Sequence, residues 1–146
     1  MKVLIDNRQK KHKISPEMIQ KKAQAILNAL DCPDGELSIL IVNDPLIEAL
    51  NKQYFNRYGP TNVIAFPMRE GKFANISPQL LGDVVISVET AYQEGVNAGI
   101  SMEERFIQLL IHGILHLFGY DHETTEQEAF KMEKKSEELM KLIEKI

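Results

Sequence analysis

The segment from Phe106 to Phe118, FIQLLIHGILHLF, is apolar or glycine at nearly every position except Gln108 and two histidines. A helix with apolar residues on every face has no side to turn toward water, so it belongs inside a core with the other elements packed around it. Its ends are written just as clearly. Ser101 and Glu104 form an S-x-x-E capping box at the start, and Gly119 stands where a left-handed residue would stop the helix after about Phe118.

The other segments supply the cover. Val3 to Asp6 reads as a short strand, and Ser15 with Pro16 caps and opens an amphipathic helix whose apolar positions are Met18, Ile19, Ala23, Ile26, Leu27 and Leu30. Glu36 to Val42 is a β-branched apolar run, followed by a helix that Asp44-Pro45 opens and that continues to about Phe55. Asn62 to Phe66 and Gly82 to Val88 read as strands that pair as a long hairpin across the polar stretch Arg69 to Gln79. A short helix, Glu89 to Ala98, ends at Gly99. Thr125 with Glu128 caps a last, charged helix, for which Phe130, Met132, Leu139, Leu142, Ile143 and Ile146 are the expected inner stripe.

With 146 residues and 44% hydrophobic content, the chain predicts one globular domain over residues 1–146. The apolar run Val3 to Ile5 is far too short for a signal peptide, and no later segment approaches a membrane span. Cys32 is the only cysteine, which rules out an intrachain disulfide and a cysteine-rich zinc site. These features predict a soluble protein of the reducing cytoplasm. The net charge of −4 speaks against a protein whose main task is coating nucleic acid. Residues 1 to 22 nevertheless hold seven basic residues against two acidic ones, which by composition alone reads as a solvated loop and helix face.

HGILHLFGYDH, residues 112 to 122, has the histidine and glycine spacing of the zinc-peptidase motif H-E-x-x-H-x-x-G-x-x-H. Gly113 takes the place of its glutamate base. On a helix, His112 and His116 point only about 40° apart and lie about 6 Å apart along the axis, so they can hold one ion from one face. His122 could not join them if the helix continued, because it would point about 120° away from His116. The stop at Gly119 lets the chain fold back and bring His122 to the set. Two histidines at this spacing on a buried helix are often only hydrogen-bonded core residues; the third histidine and the glycine turn the reading toward a metal, with zinc favoured by neutral imidazoles.

Three protein nitrogens suit an open zinc site, in which a fourth place holds a water whose pKa falls to about 7. Asp121 and Glu123 could instead close the site, or orient a ligating imidazole. A zinc nucleobase deaminase needs H-x-E and P-C-x-x-C, which are absent from the sequence. Peptide hydrolysis without the motif's base loses about 10²–10⁴-fold, whereas phosphodiester cleavage can rely on a Lewis acid plus cations. Arg105, seven residues before His112, and Arg57, in NRYGPTN, are the candidate cations.

The segment HGILHLFGYDH, with PTNVIAFP (60 to 67) and LGDVVIS (81 to 87) upstream, resembles the YbeY family of bacterial single-strand-specific endoribonucleases. The likeness also takes in Leu50-Asn51, Tyr54 and the downstream E-A-x-x-M from Glu128 to Met132. It implies an α+β domain with a mixed, mostly four-stranded sheet, a zincin-like metal helix, zinc on His112, His116 and His122, and a cleft between sheet and metal helix that takes RNA. It further implies a role in small-subunit ribosomal RNA maturation and ribosome quality control, with a ribosomal RNA precursor as substrate and ribosomal proteins or an assembly GTPase as partners. Two places depart from the family pattern. Phe55 stands where members commonly have an arginine implicated in activity, with Arg57 as its candidate replacement, and Ala65 stands for the usual serine. The alternatives are a metalloendopeptidase using the same three histidines, and a non-enzymatic ribosome-associated zinc protein.

Overall fold

A computed structural model describes residues 3–68, 79–121 and 124–146. Four strands, β1 (Val3–Asn7), β2 (Glu36–Val42), β3 (Val63–Pro67) and β4 (Leu80–Ser87), form one sheet in the order β1-β2-β4-β3. β1 and β4 both run parallel to β2, while β3 lies antiparallel to β4 on the outer edge. The sheet is therefore mixed and four-stranded, and β3 with β4 is the hairpin that the polar stretch between them predicts. Most of that stretch, residues 69–78, lies outside the described residues.

Side chains alternate across the sheet with the strand period of two. Leu37, Ile39, Ile41, Val84 and Ile86 join the larger core, together with α1 (Pro16–Ala29), α3 (Val88–Ala98), α4 (Met102–Leu117) and α5 (Glu126–Ile143). Val42, Ile64 and Val85 face the other way and pack with Ile47 of α2 (Asp44–Phe55). α4 is the helix that the apolar run demands: Phe106, Leu110, Ile111, Ile114 and Leu115 are inaccessible to solvent. It lies against β3 and β4 on one side and α1, α3 and α5 on others, which is why no face of it is polar throughout.

The helix caps follow the sequence closely. Ser15, Ser101 and Thr125 each accept the backbone N–H three residues ahead, from Met18, Glu104 and Glu128. α2 begins at Asp44, as its Asp44-Pro45 signal predicts, with Asn43 in the capping position. α5 departs from expectation. Met132, Leu139 and Ile143 are buried, but Phe130, Leu142 and Ile146 are exposed. Positions 132, 139 and 143 recur at helical spacing on one face, whereas residues 130 and 142 lie about 160° and 80° around from that line. Among the described residues, no helix is long and apolar enough to cross a membrane.

Candidate active site

α4 ends in two hydrogen bonds that fix the chain reversal. The Gly119 N–H donates to the His116 carbonyl at 3.0 Å, and the Tyr120 N–H donates to the Leu115 carbonyl at 3.1 Å. Gly119 has φ of 93°, the left-handed conformation its position in the sequence requires. This is the Schellman arrangement, and it turns the chain away from the helix axis at Gly119, three residues after His116. His122 and Glu123 lie outside the described residues.

His112 and His116 are brought together as their spacing predicts. Their Nε2 atoms are 3.2 Å apart, with ring centroids at 4.7 Å and planes at 70°. One neutral ring can donate a hydrogen bond to the other across that distance. The same geometry suits a shared ion: with zinc–nitrogen bonds of about 2.0–2.1 Å and tetrahedral angles, two ligand nitrogens sit about 3.3 Å apart. The donor pair thus fits two corners of a zinc site. Among the described residues no group of three His, Cys, Asp or Glu side chains is gathered for a metal.

Gly113 owes its place to packing. A Cβ on Gly113 would lie 2.6 Å from Cγ1 of Val84 and 3.2 Å from Cγ2 of Val63. α4 is pressed onto the β3–β4 hairpin at this residue, and a glutamate there would displace the sheet. The glycine that looked in the sequence like a deleted base is the contact that seats the histidine helix. On the helix, His116 and His112 lie about 60° and 100° around from Gly113 on the same side, so seating the glycine aims both rings toward the β3 edge. Gly82 plays a similar part in the hairpin, since with φ of 137° its missing Cβ leaves room for the Phe66 carbonyl and for Leu117 of α4.

Beside the β3 edge is a cleft of about 1030 Å³. His112, His116 and Asp121 line it, as do Val63, Ile64 and Ala65 of β3 and a face of α5 that includes Glu133, Glu137 and Lys141. A cleft between the sheet and the helix that carries the two histidines is present, with α5 as an additional wall.

Both candidate arginines line this cleft, in different electrostatic states. Arg105 donates through Nε to Oε1 of Glu94 at 2.9 Å and through Nη1 to Oε1 of Gln108 at 2.8 Å. Asn62 donates to the same Glu94 carboxylate, so the arginine's charge is offset within a small network. Arg57 is exposed and makes no ion pair among the described residues. Phe55, at the place where the resemblance leads one to expect arginine, also lines the cleft.

The loop carrying Arg57 is held by a residue whose role the sequence did not disclose. Asn51, 7% exposed, donates from its side chain to the Gly59 carbonyl at 3.1 Å, while its own carbonyl accepts the Arg57 N–H at 3.3 Å. Asn56 ends α2 in the left-handed region with φ of 53°. At the far end of the loop the Asn62 carbonyl accepts from the Ser87 N–H at 3.0 Å. The Leu50-Asn51 pair was the available signal, but residue type alone cannot say that an asparagine clamps a loop eight positions ahead.

Comparison with known proteins agrees with this geometry. The model of the family described as Endoribonuclease YbeY matches residues 4–144. A relative from Syntrophotalea carbinolica, named Endoribonuclease YbeY, is 50% identical over 136 residues, covering 92% of this chain and 91% of its own. A second of that name, from Geobacter metallireducens, is 47% identical over 146 residues, covering 99% of this chain and 97% of its own. The solution structure of TM1509 from Thermotoga maritima shares the fold, with a TM-score of 0.68 at 21% identity over 97% of this chain and 88% of that one. A match that runs through every element from β1 to the end of α5, with relatives near half identity along their full lengths, makes this chain a member of the Endoribonuclease YbeY family.

Proposed function

We propose that this protein is a zinc-dependent endoribonuclease that cuts single-stranded RNA in the cytoplasm, with a ribosomal RNA precursor as its substrate. His112, His116 and His122 hold the metal in this reading, and the cleft at the β3 edge holds the RNA. The observation that carries it is the 3.2 Å approach of the His112 and His116 Nε2 atoms beside a cleft that Arg57 also lines, in a chain of an endoribonuclease family. Zinc held there supplies a Lewis acid for a phosphoryl oxygen and acidifies a water to a pKa of about 7.

The chain's own residues do the positioning. Arg57, held on its loop by Asn51, presents a guanidinium that can grip a phosphate through two parallel hydrogen bonds. Arg105, already engaged by Glu94, stiffens the α3–α4 side of the cleft. Asp121 lines the cleft next to the histidine pair, where its carboxylate can orient a ligating imidazole or accept a proton. Gly113 leaves no room for the carboxylate that a peptidase would use at that place.

The test is direct. Purified protein should retain zinc, and cleavage of a single-stranded oligoribonucleotide should disappear with a chelator, return with zinc, and be absent in His112→Ala. Protein that holds zinc yet leaves RNA intact overturns the nuclease reading. Metal-dependent turnover of unstructured peptides in its place would establish the endopeptidase. Ribosomal proteins or an assembly GTPase are the proposed partners, to be sought by co-purification with small-subunit precursors.

A further inference from the structure

Three of the chain's ten aromatic side chains, among four tyrosines and six phenylalanines, gather at the end of α2 and on β3 beside the cleft. Phe66, partly buried on the β3 edge strand, anchors them. Tyr54 meets it edge-on with centroids 5.2 Å apart, and Phe55 stacks on it at 5.9 Å with planes 27° apart. Tyr54 is 58% exposed and Phe55 44%, so each ring leans on a fixed neighbour and turns the rest of its surface to solvent. Tyr58, 82% exposed, follows on the Arg57 loop with the Lys52 ammonium 5.7 Å from its ring centroid. Core packing does not explain rings left this bare, and single scattered apolar residues do not cluster in this way.

Charge selects the occupant. Lys52 and Arg57 flank the rings, and among the described residues neither makes an ion pair. Flat apolar faces interleaved with cations suit a strand that is aromatic and polyanionic at once. Phe55 and Arg57 line the same cleft as the histidine pair, so a strand lying on the rings leads into it.

We propose that Phe55, stacked on Phe66, and Tyr58, under the Lys52 ammonium, form a stacking platform for unpaired RNA bases, with Lys52 and Arg57 holding the adjoining phosphates. The proposal rests on the nuclease reading and deepens it, because bases stacked within a duplex cannot lie on these rings. The platform reads single-strandedness rather than sequence, since every base offers a π-face. The packing of Tyr54 and Phe55 on Phe66 holds those rings in place before RNA arrives, which lowers the ordering cost of binding.

The test uses the full-length protein and a short single-stranded oligoribonucleotide carrying 2-aminopurine, whose fluorescence is quenched when it stacks. The doubly substituted Phe55→Leu/Tyr58→Leu protein should bind it about ten- to a hundredfold more weakly and lose the quench. Its KM for cleavage should rise with little change in kcat, and its thermal unfolding should match the parent's, since both sites are exposed. Phe55→Tyr and Tyr58→Phe, which keep the rings, should restore both affinity and quench. The platform is overturned if the leucine protein binds and quenches like a parent that cleaves RNA; the exposed rings then serve a protein partner. A parent that neither binds nor cleaves RNA overturns the platform and the nuclease reading together.

Discussion

The two walls of the cleft differ in chemistry and in how they are held. The wall made by the end of α2, the Arg57 loop and β3 presents aromatic rings and cations that make no ion pair among the described residues, and it is tied down by Asn51 and by backbone hydrogen bonds to β4. The α5 wall presents Glu133, Glu137 and Glu144, with Lys141 among them. A polyanion approaching the histidine pair meets attraction on one side and repulsion on the other. The difference teaches that the strand should run along the β3 side, with α5 limiting the width of the groove and discouraging nonspecific binding. It also reconciles a net charge of −4 with a nucleic-acid substrate, because the favourable charge is local.

Predictions that break or sharpen this contrast begin at the floor that both walls share. His112→Ala should lower RNA cleavage by more than about a hundredfold and reduce bound zinc, checked by gel assay and metal analysis on the same preparation. Retained zinc with full activity would remove the floor from the chemistry. Gly113→Ala forces α4 away from Val84 and Val63, so it should cost about 1–3 kcal/mol of stability and shift the walls relative to each other. An unchanged urea midpoint would mean that the helix and the hairpin are not seated as tightly as the contacts imply.

The walls themselves should respond in opposite senses. Arg57→Ala should weaken RNA binding about tenfold at low salt and flatten the salt dependence by about one phosphate contact, while Arg57→Lys keeps the slope. Equal salt slopes for the parent and the alanine protein would take Arg57 off the phosphate path. Glu137→Gln on the other wall should have the smallest effect, a gain in affinity of about two- to threefold that vanishes at high salt. A loss of affinity there would mean that the acidic wall touches the strand favourably, reversing the contrast.

Much of the site could be read in the sequence because its signals are local. The capping box at Ser101, the apolar run and Gly119 lie within one helix, where periodicity and φ preference act between near neighbours. The pairing of His112 with His116 follows from the same periodicity. The stripe of α5 was misread at Phe130, Leu142 and Ile146 because hydrophobicity names candidates for burial without saying which face has a partner. The role of Asn51 was not legible for a related reason, since it lies in what the side-chain amide reaches across the loop.

By itself, the sequence determined where the helices begin and end, that α4 must be buried, and that two histidines share one of its faces, all consequences of spacing along a single chain segment. Only the tertiary structure decided why Gly113 is a glycine, that Glu94 offsets Arg105 while Arg57 makes no ion pair among the described residues, and that Tyr54 and Phe55 meet Phe66 beside the cleft. Those outcomes depend on distances between segments far apart in the chain, and such distances are set by how the sheet and helices pack rather than by local conformational preference.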